Sequence, residues 1–169
     1  MQKGVLAAVL ALGLGCSTVG QVGQEPAATA EAVSKKQANA ADDVREAVFR
    51  YMFEHNASVM QNNAPIVFLK VEGEQDPSPA FLERFAKQWP PVEPGSSASV
   101  SPWTGATDKK TGKRGLIFRV ESLRWISDSE AEVVGGYYEG GLSASGNVYR
   151  VKSEGGKWVV KSEEMMWIS

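Results

Sequence analysis

Apolar side chains recur every three or four residues between Asp43 and Asn62, which predicts an amphipathic helix with one broad apolar face. Asp43 and Glu46, three residues apart, resemble a capping box and would begin this helix. Pro65 follows its expected end, because the residue before a proline disfavours helical backbone. The positions on the apolar stripe are Val44, Ala47, Val48, Tyr51, Met52, His55 and Val59.

A short strand, a short helix and a long connection are predicted after this first helix. Residues 66–71 are rich in β-branched and aromatic side chains, which favours a strand. Ser78 followed by Pro79 is typical of a helix start, and the prolines at 90–91 would end that helix. Residues 92–114 are rich in Pro, Gly, Ser, Thr and Lys, so we expect a long connection there.

The rest of the chain predicts four consecutive strands with short turns. They are expected at residues 115–127, 132–139, 148–153 and 158–168. The alternation of apolar side chains changes phase near Glu121, which indicates a β-bulge. Four such strands behind one long helix favour an α+β fold: a long N-terminal helix packed on a curved antiparallel meander sheet, preceded by a disordered tether.

This order of elements resembles the cystatin-like and NTF2-like folds, in which a leading helix lies in the concave face of a bent antiparallel sheet. The closing hairpin, Tyr149-x-Val151 followed by Gly156-Lys157-Trp158-Val159-Val160, adds to the resemblance. It would cover residues 43–168. It implies a fold only, since one fold supports many functions.

The first residues of the chain have the pattern of a secretory signal. Lys3 supplies a positive charge, residues 4–14 carry no polar side chain, and small residues follow. The apolar stretch is too short to cross a bilayer as a helix. We therefore interpret residues 1–15 as a signal peptide.

Leu12-Gly13-Leu14-Gly15-Cys16 resembles the lipobox of bacterial lipoproteins, with Gly13 where that family favours Leu. The resemblance implies that the Cys16 thiol is lipidated, that the signal is cut before it and that its new amino group is acylated. Several acyl chains make a lasting membrane anchor, whereas one holds a protein only marginally. Ser17 after the cysteine implies sorting to the outer membrane rather than the inner one. A soluble periplasmic or secreted protein is the alternative, because small residues before Cys16 also suit an ordinary signal peptidase.

The mature chain would then consist of a lipidated tether over residues 16–41 and one α+β domain over residues 42–169. The tether segment has no aromatic residue and no Leu, so it buries too little apolar surface to order itself.

The composition limits the kinds of functional site that the chain can carry. The net charge of −2 argues against a nucleic-acid surface. Cys16 is the only cysteine, and an acylated Cys16 leaves no thiol for a disulfide, a nucleophile or a metal site. No cofactor is predicted.

Two residues are weak catalytic candidates. His55 is the only histidine, so a histidine base would have to be this residue, although its place on the apolar stripe favours a partly buried side chain with one hydrogen-bond partner. Glu121 lies at the suspected bulge, where a carboxylate can be turned inward.

The run around Tyr137, Tyr138 and Glu139 has two interpretations: sheet curvature with Tyr137 or Tyr138 packed on the helix, or a ligand or partner surface formed by the three residues. Glycines flank these residues on both sides, and glycines inside a strand mark a bend or the close approach of another group.

Two functions follow as hypotheses. The first is a membrane-anchored envelope lipoprotein with a non-catalytic domain that binds another envelope protein. The second is a small-ligand pocket protein, or an enzyme of the NTF2-like cone type, that uses His55 or Glu121. An apolar cavity with one of these side chains converging on it would favour the second, and a filled core the first.

Overall fold

The computed structural model describes residues 27–61 and 63–169, with side chains from residue 35 onward. It contains two α-helices, one 3₁₀ turn and eight strands. These are α1 (Ala27–His55), β1 (Val67–Val71), α2 (Pro79–Glu83), β2 (Val92–Pro94), the 3₁₀ turn Gly95–Ser97, β3 (Ala98–Ser101), β4 (Gly105–Asp108), β5 (Arg114–Ser127), β6 (Glu130–Gly140), β7 (Ser143–Glu154) and β8 (Lys157–Ile168).

The sheet is mixed, and the predicted fold class is therefore wrong. Its strand order is β2-β1-β5-β6-β7-β8, with β1 parallel to both β2 and β5. Strands β5 to β8 pair antiparallel, and the β3–β4 hairpin joins the sheet through β4 and β5. An eight-stranded mixed sheet thus replaces the expected meander under a helix. The segment read as a connection, residues 92–114, supplies three of the strands.

The first helix also differs from the prediction at both ends. It begins at Ala27, inside the expected tether of residues 16–41, and it ends at His55. Residues 35–39 are exposed helix. Ala, Gln and Lys, which fill this segment, are strong helix formers, so helix forms there without an apolar face to bury. Cys16 and the signal peptide lie outside the described residues.

Apolar side chains fill the space between α1 and the inner face of the sheet. Val44, Val48, Phe49 and Met52 of α1 are buried there. α2 and the turn after it contribute Phe81 and Phe85, and the sheet contributes Val67, Leu69, Leu116, Phe118, Val120, Ala131, Val133, Tyr137, Tyr149 and Val151. Gly135 lets α1 come close, since a Cβ there would stand 3.1 Å from the Met52 Cε.

The β3–β4 hairpin covers part of the opposite face. Phe68 and Ile117 alternate with inward-facing neighbours along β1 and β5, and they pack with Ala98 and Ala106 of the hairpin. The Tyr138 hydroxyl, beside this second cluster, donates to the Ser101 carbonyl at 3.3 Å.

Among the described strands, bulges interrupt β5, β6 and β8, and the bulge of β6 lies at Glu139. The register of β5 against β6 shifts between Val120 and Ser122, which confirms the bulge predicted near Glu121. The register of β8 against β7 shifts at Lys161 and again at Met166. The path of hydrogen-bonded strands ends at β8.

Candidate functional site

His55 lies at the exposed C-terminal end of α1. Its ring stacks on Tyr51 with 4.2 Å between ring centroids, and its Nδ1 is 3.1 Å from the Tyr51 carbonyl oxygen. The apolar stripe predicted for this helix therefore stops short of His55. The side chain stands outside the filled core, where it is open to solvent.

Glu121 is an exposed side chain at the bulge of β5. Its carboxylate is 3.0 Å from the Nε of Arg119, with which it forms an ion pair. Among the described residues no hydrogen bond or ion pair joins Glu121 to His55. The structure does not bring the two catalytic candidates together.

The expected surface at Tyr137, Tyr138 and Glu139 is largely interior. Tyr137 belongs to the main core and is 4% exposed, while Glu139 is 6% exposed. Tyr138 is half-buried under the β3–β4 hairpin. These three residues hold the structure together and do not form one open surface.

Glu139 is held by two hydroxyls. The Oγ of Ser58 donates to its Oε2 at 2.7 Å, and the Oγ of Ser143 donates to the same atom at 2.9 Å. Arg114 approaches Oε1 at 3.9 Å. The carboxylate thereby joins the chain after α1 to the turn between β6 and β7.

A polar cluster that the sequence did not suggest lies beside the end of α1. Asn147 is buried and donates through Nδ2 to the Glu163 carboxylate, while its Oδ1 has no protein partner. Burial raises the pKa of the Tyr149 hydroxyl above its ordinary value, and the negative charge of Glu163 raises it further. The pKa of Tyr51 is raised by the same two causes in the same order. This cluster keeps two phenols protonated next to one carboxylate.

The register of the β7–β8 hairpin explains why the sequence did not predict this polar cluster. Glu154 pairs with Lys157 across the Gly155-Gly156 turn, so a regular ladder would place Tyr149 opposite Ser162. The extra residue at Lys161 shifts the pairing by one, and Tyr149 faces Glu163 instead. No signal in the sequence marks that bulge.

One end of the molecule carries prominent apolar side chains, each on a different turn. Trp103 and Leu142 are each 94% exposed, Val59 is 84% exposed, and Ile168 at the end of β8 is 55% exposed. We call these four residues the loop rim. Exposed large apolar side chains that lie together mark an interaction site more often than they occur by chance.

Contacts between the turns place the loop rim at one end of the sheet. A Cβ on Gly141 would stand 3.1 Å from the Pro102 carbonyl, so the turns of Leu142 and Trp103 touch. The Ser58–Glu139 bond brings Val59 alongside. The backbone of Ser169 pairs with Ala144 in both directions, which adds the end of β8.

A basic turn leads into β5, at the opposite end of β4 from the Trp103 turn. We define it as Lys109, Lys110, Lys113 and Arg114, all exposed. Asp108 shapes it by accepting hydrogen bonds from the Thr111 hydroxyl and from the Lys110 and Thr111 amides. These bonds, led by that of the Thr111 hydroxyl, lower the pKa of the Asp108 carboxyl. A groove of about 470 Å³ separates the turn from Pro65 and Pro91.

The described part of the chain contains neither a membrane-spanning helix nor a metal-binding cluster. No helix there has the length and apolarity needed to cross a bilayer. No group of three or more His, Cys, Asp or Glu side chains within residues 27–61 and 63–169 is placed to hold a metal ion.

Comparisons with known proteins found no relative of this chain. No family model, no curated protein and no solved structure matches the chain.

Proposed function

We propose that the chain is a bacterial envelope lipoprotein, anchored by an acylated Cys16, whose folded domain is a non-catalytic interaction module. Its mature form would sit in the outer membrane, and the domain would meet its partner through the loop rim. The observation that carries the interaction role is the loop rim itself: Trp103, Leu142 and Val59 are almost entirely exposed to solvent at one end of the sheet.

The packing of the domain supports an interaction role. The space between α1 and the sheet, where a cone-type ligand pocket would lie, is occupied by Phe49, Met52 and Phe118. His55 and Glu121 point to separate neighbours rather than into a common cavity.

The anchor is tested by the intact mass of the protein extracted from membranes. We expect the mass of the chain from Cys16 to Ser169 increased by acyl groups, and density-gradient separation should place it with the outer membrane. Cys16→Ser is the control and should lack the added mass. A wild-type protein of unmodified mass in the soluble fraction would overturn the anchor.

The interaction module is tested separately by the stability of rim variants. Trp103→Ser and Leu142→Ser remove fully exposed side chains, so each should change the free energy of unfolding by less than about 0.5 kcal/mol. A loss of several kcal/mol in urea titration would make these residues part of the fold rather than a free contact surface.

A further inference from the structure

We propose that the crevice between the second half of α1 and the chain after α2 binds a pyranose saccharide of the glucose type. Its volume is about 320 Å³, at the small end of the range of ligand pockets. The side chains that would contact the ligand are Arg50, Phe53, Glu54, Gln61, Gln88 and Trp89. None of them belongs to the loop rim, so the inference goes beyond the proposed function and gives the domain a second site.

Arg50 fixes the two walls of the crevice relative to each other. Its Nε donates to the Glu46 carboxylate at 2.8 Å within α1, and its Nη2 donates to the Arg84 carbonyl at 2.9 Å at the end of α2. Its Nη1 donates to the Gln88 Oε1 at 3.4 Å, and the guanidinium lies 4.9 Å above the centroid of the Phe85 ring. A crevice held in this way is largely formed before a ligand arrives, which lowers the free-energy cost of binding.

The crevice offers aromatic surface to a ligand. Trp89 lines it and is 78% exposed, so its indole is available for a stacking contact. Phe53 lines it from α1 and is half-buried, because its ring also packs against Phe85 and Phe118. Aromatic side chains contribute much of the energy of binding contacts, which here favours a ligand with a flat apolar face.

Polar groups that lack a protein partner line the same crevice. Arg50, one turn before Glu54 on the helix, bonds to Glu46 instead, and Glu54 forms no ion pair among the described residues. In that part of the chain the side-chain amide of Gln61 and the indole N–H of Trp89 also make no hydrogen bond. These three groups supply an acceptor, an amide that both donates and accepts, and a donor. A few such groups beside an apolar surface are typical of small-ligand sites.

The charges along the crevice favour a neutral ligand. An anion would face the Glu54 carboxylate, and the Arg50 guanidinium is already bonded through its Nε and both Nη atoms. A cation would pair with Glu54 but would lie beside the positive charge of Arg50. A zwitterion would find no free guanidinium fork for its carboxylate. The hydroxyls of a saccharide both donate and accept, and they need neither charge.

The aromatic wall narrows the saccharide to a pyranose of the glucose type. Equatorial hydroxyls leave only C–H bonds on the two faces of such a ring, so either face can lie flat on the Trp89 indole. The hydroxyls at the edge of the ring are then left to bond with side chains such as Glu54 and Gln61. β-Linked glucose and β-linked N-acetylglucosamine share this ring. An acyclic polyol has similar hydroxyls but no flat face.

Isothermal titration calorimetry of the full chain tests the inference, with cellobiose and diacetylchitobiose as probes. The protein is kept in a detergent without a sugar headgroup, because such a headgroup would compete for the site. We expect saturable binding of at least one disaccharide with a Kd below about 1 mM, and no binding of glucitol or of the zwitterion alanyl-alanine. The disaccharide that binds distinguishes a glucan from a polymer of N-acetylglucosamine.

Two variants should weaken binding while the domain stays folded. Trp89→Ala removes the stacking surface and should raise the Kd at least about tenfold. Glu54→Ala removes a charged acceptor and should raise it about tenfold. Trp103→Ala removes an equally prominent indole from the loop rim and should bind as the wild type does. Urea titration checks folding, and if Trp89→Ala is unstable, Glu54→Ala decides, since that side chain is exposed on the helix.

Each other outcome overturns the inference. Binding of neither disaccharide, or binding that a folded Trp89→Ala or Glu54→Ala leaves unchanged, excludes a saccharide site in this crevice. Glucitol that binds as tightly as the disaccharides would show that no ring is recognised. Binding of alanyl-alanine alone would make the crevice a site for a zwitterion.

Discussion

Met52 of the first helix packs where Gly135 of the central sheet has no side chain. A Cβ at Gly135 would stand 3.1 Å from the Met52 Cε and would also press on the Arg119 carbonyl of the neighbouring strand. The Arg119 carbonyl oxygen is the nearer of the two, so Gly135 first lets β6 lie close to β5 and then leaves room for Met52 of α1. The glycines of this stretch shape the core rather than a binding surface.

Gly135→Ala should destabilise the domain by about 1–3 kcal/mol, because the added methyl group overpacks a filled core. Urea titration of the free energy of unfolding measures this. Gly140→Ala is the matched control in the same strand, since a Cβ there finds its nearest atom at 3.7 Å. Equal effects of the two changes would contradict the close packing described around Gly135.

Removing the carboxylate of Glu139 should cost about 1–3 kcal/mol, because the hydroxyls of Ser58 and Ser143 lose their acceptor in a buried place. Glu139→Ala tests this by thermal unfolding. Glu139→Gln keeps one acceptor oxygen and should cost clearly less. If both variants unfold alike, the two hydroxyl bonds contribute little to stability.

Stability should fall as the pH rises above about 10, in part because of Tyr149. Burial raises the pKa of this phenol in the folded protein, so it stays protonated there while the unfolded chain ionises. The stability it contributes is fully present below the ordinary tyrosine pKa and is lost above it. Tyr149→Phe should therefore show a shallower loss of unfolding free energy in alkali. An identical slope in wild type and variant would contradict the burial of this hydroxyl.

His55→Gln should change the free energy of unfolding by less than about 1 kcal/mol, because the ring is exposed and contacts Tyr51 alone among aromatic side chains of the described residues. Met52→Ala, one turn earlier on the buried face, should cost about 2–5 kcal/mol. Differential scanning calorimetry of the two variants separates them. A large loss at His55 would place it in the core after all.

Local patterns in the sequence predicted local structure well. The phase change at Glu121 marked a real bulge, and Ser78 caps α2 through a bond from the Phe81 amide to its Oγ. Both features depend on residues that are neighbours in the chain. The alternation of apolar side chains and the capping of a helix each involve only a few consecutive residues, so both can be recognised in the sequence.

Pairing between distant segments was not predictable in the same way. The parallel alignment of β1 with β5 joins residues that are about fifty positions apart, such as Val67 and Leu116. Nothing in either segment specifies the partner or its direction. The short strands β2 to β4 lie in a Pro- and Gly-rich segment, whose composition favours a loop over strands. The start of α1 was predicted too late in the chain because it was placed where the apolar stripe begins. The helix propensity of the residues before the stripe would have placed it earlier.

The candidate site was the least predictable part. For Tyr137 and Glu139 the flanking glycines left two interpretations, a binding surface or sheet curvature with a packed tyrosine. The structure favours the second, since Tyr137 is in the core and a Cβ on Gly136 would meet the Ser145 carbonyl. Trp103 and Leu142 stand in turns that no sequence pattern singles out. These two side chains lie at the same end of the molecule because the β3–β4 hairpin folds across to the β6–β7 turn.

The bulges of β8 affect how molecules of this protein would pair with one another at high surface density. Proteins held on a surface meet one another far more often than proteins in solution, and a long regular strand edge would let them add to each other end to end. Lys161 and Met166 each break the ladder of β8, and a bulge turns an edge away from such growth. If Cys16 anchors the chain as proposed, a dense layer of it on a membrane would therefore stay a layer of separate molecules. A variant that lacks Lys161, packed at the same density, should be the one that forms fibres.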